Sequence, residues 1–379
     1  MSDPIYFDYA AATPLDPRVL QAMQPFYVDK FYNPSATYLA AKGVAHDLDA
    51  ARVTVAASLG VRPAEIIFTA GGTEANNLAI KGVLEQYPSG NVVMSAVEHE
   101  SVLAPAARHD HRTVAVKKDG TIDLVDLEFK IDEQTVLVSI MYANNEVGTI
   151  EPLKNVAEII KRKRAQRSGA QMLPLYLHTD ACQAANYLDL HVSRLGVDLL
   201  TLNGGKIYGP KQSGALYVGS HVQLQPQVLG GGQERGLRSG TENVAQCVGL
   251  AEALNIAQQG RSAEAERLQQ LQRYFFAEIE TRLPIAIING SRKKRLPNNL
   301  HITIPGIDNE RVLMQLDEVG ILAAAGSACS ASDEEPSHVL RAMGVNEVDA
   351  QASLRFTMGR KTTQLHIDEL LVQLVRISR

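Results

Sequence analysis

The sequence predicts an α/β protein, a mostly parallel sheet covered by helices on both faces and followed by a smaller α+β region. Two observations carry this. Short apolar runs alternate with helical patterns over the first two thirds of the 379 residues, and the pattern changes after about residue 254. Strands separated by helices of this size imply parallel pairing, and a sheet covered on both faces explains why its strands read as continuous apolar runs.

In chain order, Glu65 to Thr69 reads as a strand that ends in Gly71-Gly72. A helix then starts near Thr73, with Ala75, Leu78, Ala79 and Val83 on its buried face. Further strands are expected over Asn91 to Ala96, Thr135 to Tyr142, Leu173 to His178, Val197 to Leu202 and Ala215 to Val218. Val156, Ile159 and Ile160 mark an amphipathic helix. The basic run Lys161 to Arg167 suits its C-terminus, and Gly169 stops it. After residue 254 come a long polar helix (about Ala263 to Arg282), Ile285 to Ile288, and the alternating strand Leu300 to Ile304. A helix at Asn309 to Val319, a strand at Ser353 to Met358 and a last helix at Leu365 to Ile377 complete the region. The run Arg292-Lys293-Lys294-Arg295 reads as a solvated loop, with a phosphate- or RNA-contacting patch as the alternative.

Apolar residues make up 45% of the chain and charged residues 21%, which excludes a disordered or collagen-like protein. The formal net charge of −5 argues against a dedicated nucleic-acid binder. No run is long and apolar enough for a membrane span, and Met1-Ser2-Asp3-Pro4 opens no signal peptide, so no membrane association is expected. Three scattered cysteines, Cys182, Cys247 and Cys329, give neither a disulfide framework nor a CxxC site, and the expected setting is reducing and cytoplasmic. No histidine pair has zinc-ligand spacing with a cysteine, so no metal is expected.

Three segments carry chemistry. Phe68 to Glu74 runs a strand through two glycines into a helix N-terminus, an arrangement that binds anions through free N–H groups, although an ordinary tight turn reads the same way. His178-Thr179-Asp180-Ala181-Cys182-Gln183 places a carboxylate at a strand's carboxyl end, where open parallel sheets bind ligands. Asp180 there either caps the next helix or holds a cation such as a protonated pyridine. Asn203-Gly204-Gly205-Lys206 puts a lysine in a glycine-dense loop past a strand, the residue type that forms Schiff bases with carbonyl cofactors. An anion cradle, a pyridinium partner and a Schiff-base lysine form together the set that pyridoxal phosphate needs.

From Asp8-Tyr9-Ala10-Ala11-Ala12-Thr13-Pro14 onward the chain resembles the cysteine desulfurases, in the class V aminotransferase group of fold-type I pyridoxal-phosphate enzymes. The resemblance continues through Asn33-Pro34-Ser35, Phe68 to Asn77, Glu98-His99, Ala143 to Thr149 and Asp180 to Gln183. Gly230 to Arg235, Arg238-Ser239-Gly240-Thr241, Gly326-Ser327-Ala328-Cys329-Ser330 and Glu335 to Arg341 are its most specific segments, and Arg355-Phe356 with Gly359-Arg360 close it.

The resemblance implies a seven-stranded large domain over residues 16–253. It also implies a small domain made of residues 1–15 and 254–379 that carries the catalytic cysteine loop. It assigns Lys206 to the covalent anchoring of the cofactor, Asp180 to the pyridine nitrogen, Gln183 to the ring hydroxyl, and His99 to stacking on the ring and acid–base work. Gly72 and Thr73 match the phosphate cradle, and Asn203 occupies a further cofactor-binding position. Thr241 matches a residue that reaches the phosphate from the other subunit of a homodimer. Asn145 and Arg355 match the groups that hold the substrate carboxylate, and Cys329 the nucleophile that receives sulfur.

The chain departs from the family pattern Ser-x-His-Lys at Asn203-Gly204-Gly205-Lys206, where an amide replaces a hydroxyl and an imidazole is missing. Each lost charge-assisted hydrogen bond is worth about 1.5–3 kcal/mol, on the order of 10–100-fold in affinity. Gly72 stands where alanine is usual.

Of the cysteines, Cys182 reads as packed beside Asp180 and facing away from the cofactor, and Cys247 as core within Val244 to Leu250. Cys329 lies among small residues with no packing signature. The expected reaction converts L-cysteine to L-alanine and leaves a persulfide on Cys329, for an acceptor protein such as an iron–sulfur scaffold or a tRNA-thiolation protein. A selenocysteine lyase or related class V lyase or aminotransferase is one alternative, and a weakly catalytic, partner-regulated scaffold another. His109, His111, His191 and His221 read as surface residues and His301 as structural.

Overall fold

The computed structural model describes residues 4–167, 172–326 and 336–378. Among these, β1 is Ile5–Tyr6. The central strands are β2 Ile66–Thr69, β3 Asn91–Ser95, β4 His111–Val114, β5 Thr135–Ser139, β6 Tyr176–Asp180, β7 Leu199–Asn203 and β8 Gly214–Val218. The last four are β9 Ile287–Ile288, β10 Asn299–Thr303, β11 Ile321–Leu322 and β12 Ser353–Thr357.

The predicted parallel sheet is present, seven-stranded, in the order β2-β8-β7-β6-β5-β3-β4. All neighbours pair in parallel except β8, which is antiparallel to both β2 and β7. Alternate side chains feed two apolar clusters on opposite faces: Ile66 and Phe68 enter one and Ile67 the other, as do Leu200 and Leu199 respectively. The carboxyl ends of β2, β3, β5, β6 and β7 therefore emerge on one edge, where ligands of such sheets bind.

A second sheet, β12-β10-β9, is antiparallel, and β1 pairs in parallel with β11. These strands pack with Phe275, Phe356, Leu370 and Leu371 in a separate cluster. Both chain ends meet here. Phe7 accepts a backbone hydrogen bond from Thr357, and Asp8 forms a bridge with the same residue.

Several elements differ from the sequence reading. The expected helix at Ala263 to Arg282 is part of one continuous helix, Val244–Arg282. Its first part (Val244 to Leu254) packs on the large sheet and its last part (Leu268 to Ile279) on the small one, so one helix crosses the change of pattern at residue 254. The strand expected at Leu173 lies at Tyr176–Asp180 instead, because its polar end, Thr179 and Asp180, is fully inside the sheet. The sequence reading misses the edge strand β4, which is largely exposed, and the helix Leu39–Leu59, although its buried Val44, Leu48, Ala51, Val55 and Leu59 recur at helical spacing. The basic run is not a solvated loop throughout. Arg295 is buried and donates to the carbonyls of Asn289 and Ser291, while Arg292 pairs with Glu280 at 2.6 Å. The expected stop at Gly169 lies outside the described residues. No helix among the described residues is long and apolar enough to cross a membrane.

Candidate active site

Two contiguous cavities open at the carboxyl edge of the sheet. The larger, ≈ 640 Å³, lies over Gly71, Gly72 and Thr73. The smaller, ≈ 170 Å³, is lined by His99, Asn145, Asp180, Gln183 and Arg355. Gly72, Thr73, Asn203 and Lys206 line both. Every sequence-predicted site residue but two is thus brought together. Thr241 lines a separate cavity of ≈ 220 Å³ beside Cys247. Cys329 lies outside the described residues.

Backbone geometry prepares the anion end. Gly71 has φ +140°, a left-handed conformation that glycine tolerates, and the helix Gly72–Gln86 starts there without a side-chain cap. Its first N–H groups face the cavity with the positive end of the helix dipole. Gly72 has a specific reason to lack a side chain: a Cβ would sit 2.8 Å from the Cys182 sulfur and 3.3 Å from Asn203 Cβ. Cys182 therefore lines the cavity wall rather than facing away from it. The chain leaves β6 at Asp180 and residue 182 lies in the turn that follows, which aims its sulfur at Gly72. Burial and the adjacent Asp180 push the Cys182 thiol well above its usual value, which keeps it protonated.

The opposite end is a polar chain that no sequence signal announced. Asn76 donates one amide hydrogen to Asp180 Oδ2 at 2.7 Å and the other to Ser101 Oγ at 2.8 Å. Ser101 Oγ lies 2.8 Å from His99 Nδ1, and the Ser101 backbone N–H also donates to Nδ1, at 3.1 Å. His99 caps the helix Glu100–Ala106 in this way, and its proton is left on Nε2. Burial, opposed by Asp180 and aided by Lys206, holds its pKa below the usual imidazole value. Asp180 Oδ1 accepts from the Cys182 N–H at 2.9 Å, so the carboxylate is fixed at both oxygens.

Lys206 leaves β7 through a short turn in which Asn203 Oδ1 accepts from the Gly205 N–H. Its amine donates to the carbonyls of Ala10 and Ala11 at 2.9 and 2.6 Å, and Gln183 donates to the same Ala10 carbonyl. The N-terminal segment thus forms one wall of the site. Arg355 is 1% exposed, pairs with Asp8 at 2.7 Å and donates to the Asn145 carbonyl at 3.3 Å. Its Nε has no partner among the described residues.

These residues fit pyridoxal phosphate: an uncapped helix N-terminus for the phosphate, an amine for the aldehyde and an oriented buried carboxylate for the ring nitrogen. Fold and site together define a fold-type I pyridoxal-phosphate enzyme. The profile of the family described as "Aminotransferase class-V" matches residues 5–370, and the chain belongs to that family, among its cysteine desulfurases. Cysteine desulfurase IscS of Dictyoglomus turgidum is 40% identical over 384 residues, spanning 100% of this chain and 95% of the relative. A solved structure described as a NifS-like protein superposes with a TM-score of 0.90 at 33% identity, covering 99% of both chains. A structure of SspA in complex with cysteine gives 0.80 at 34% identity, over 93% of this chain and 98% of that one.

Proposed function

We propose that this protein is a pyridoxal-phosphate-dependent cysteine desulfurase that converts L-cysteine to L-alanine and passes the sulfur to Cys329. The observation that carries this reading is the single cavity lined by Lys206, Asp180, His99 and Arg355 beside an uncapped helix N-terminus. When bound, pyridoxal phosphate supplies an aldehyde for amines and a cationic ring that takes up the electron pair released at the substrate α-carbon.

The chain's own residues do the rest. Lys206 anchors the cofactor and, once displaced by the substrate amine, is the base for the α-proton. Asp180, fixed by Asn76 and the Cys182 N–H, keeps the ring nitrogen charged. Arg355 and Asn145 hold the substrate carboxylate. Cys329 attacks the substrate sulfur as thiolate: an S–S bond forms, the substrate's C–S bond breaks, and the β-carbon gains a proton to leave alanine. His99 and Lys206 line the cavity that this proton must cross.

The flanks of the cysteine segment support this role. Ala324 pairs with Arg355 through backbone hydrogen bonds in both directions, and His338 Nε2 lies 2.9 Å from the Glu98 carbonyl, next to His99.

We read the molecule as a homodimer with large and small domains divided at residues 15/16 and 253/254. Thr241 lines a cavity other than that of Lys206, in keeping with service to a second copy's site. Tyr27, Val28, Phe31, Tyr38 and Leu39 leave apolar surface exposed, as an interface would. Cys182 and Cys247 are free thiols, which suits a reducing cytoplasm. The persulfide is read as passing to a protein acceptor of iron–sulfur assembly or tRNA thiolation.

Alanine and sulfide release from L-cysteine with a thiol reductant tests the reading. Wild type is expected to be yellow and active, Cys329→Ser yellow but inactive, and Lys206→Ala unable to retain cofactor through borohydride reduction. Normal turnover by Cys329→Ser excludes the nucleophile assignment.

A further inference from the structure

We propose that Lys211 supplies the cationic partner of the cofactor phosphate in this chain, in place of a side chain at position 205. The inference deepens the reading above and rests on it.

The larger cavity meets three cationic side chains: Lys206, Lys211 and Arg238. Two are committed. Lys206 donates to the Ala10 and Ala11 carbonyls. Arg238 is paired with Glu74, Nε to Oε1 at 2.8 Å, and Glu74 is turned back further to accept from the Ala70 N–H. The ammonium of Lys211 has no hydrogen bond or ion pair to any described residue.

Its position follows from Gly205. A Cβ built there would lie 3.8 Å from Lys211 Cγ and 3.9 Å from its Cα, so any side chain at 205 would pack against the Lys211 stem. With none, the stem faces the cavity beside the uncapped turn Gly72-Thr73. The backbone holds this arrangement under strain, since Tyr208 and Gln212 on either side of Lys211 both have left-handed φ, +62° and +58°. Non-glycine residues hold such conformations only where their surroundings enforce them. Asn203 contributes on the other side. Its Oδ1 is used by the Gly205 N–H, and its Nδ2 lies 3.4 Å from the Cβ position of Gly72, turned toward the same turn. An amide donor and an ammonium thus flank the helix N-terminus, where a doubly charged phosphate needs both hydrogen bonds and compensating charge.

The test compares pyridoxal phosphate with pyridoxal, which has the aldehyde and ring but no phosphate, by absorbance titration of the full-length apoprotein. Lys211→Gln is expected to weaken pyridoxal phosphate about tenfold or more and pyridoxal less than about twofold. Lys211→Arg is expected to stay within about threefold of wild type for both. An unchanged dissociation constant for pyridoxal phosphate in Lys211→Gln, or an equal loss for both compounds, overturns the proposal. If wild type binds pyridoxal phosphate through Lys206 and only the Lys211 effect is missing, the cofactor assignment survives. If wild type takes up neither compound, both readings fall.

Discussion

Arg355 shows how much one side chain can be asked to hold. Its guanidinium is buried, tied to Asp8 on one side and to the Asn145 carbonyl on the other, with Nε still open. Lysine keeps the charge but loses the planar fork. We therefore expect Arg355→Lys to raise the KM for L-cysteine about 10–100-fold with a smaller effect on kcat. Steady-state kinetics decide it, and an unchanged KM would remove Arg355 from substrate binding. The buried pair Arg52–Glu234 is structural by contrast. Arg52 donates to both Glu234 oxygens at 2.7 Å, and Glu234 also accepts from the Phe68 N–H that leads into the anion turn. Arg52→Met strands a buried carboxylate and is expected to cost about 3–5 kcal/mol, read by urea unfolding. A loss below 1 kcal/mol contradicts this account.

At the scale of elements, the strand–turn–helix Ile66 to Gln86 and the turn after β6 were shaped together. Gly72 stands where alanine is usual because the Cys182 sulfur occupies the space. Gly72→Ala alone is expected to destabilise the protein by about 1–3 kcal/mol, and Cys182→Ala in the same chain to recover most of it. Additive effects in the four-variant thermal cycle would disprove the coupling.

The same elements show what the sequence could disclose. Asp180, Lys206 and the glycine turn were legible because each is a short-range pattern at a strand end. The Asn76 bridge, the Asp8–Arg355 pair and the Ala10–Ala11 wall were not, since they join segments 104, 347 and up to 196 residues apart. The orientation of Cys182 was not legible because it lies in the turn after β6, where no periodic pattern fixes the direction of a side chain. The helix Val244–Arg282 was half seen because its buried face changes partner partway along.

For the molecule as a whole, buried acids set the response to pH. Glu98, Glu146 and Glu151 are each at most 2% exposed, and burial raises the pKa of all three. Glu151 is pushed up to about 8 from an ordinary 4.5, opposed in part by the Ile122 N–H it accepts. The folded chain thus keeps a proton that the unfolded chain releases, and the native state binds more protons between those values. Its contribution to stability is full below about pH 4.5 and is lost as pH rises through about 8. Glu151→Gln is expected to make the fall in Tm from pH 5 to pH 9 shallower than in wild type. Equal slopes would show that this carboxyl does not titrate in that range.

Because the amine of residue 206 rests on carbonyls of residues 10 and 11, and that segment is held by residue 357, the pocket depends on both ends of the chain. Residues 353–357 must be made before β12 can close against the segment at residues 7–10. A chain ending before residue 353 lacks β12 and with it the hold on residues 10 and 11, whose carbonyls the Lys206 amine rests on. Stable seating of the coenzyme is therefore expected only once β12 is in place, and a fusion placed tightly against β1 is expected to disturb catalysis although β1 lies about 200 residues from Lys206 in sequence.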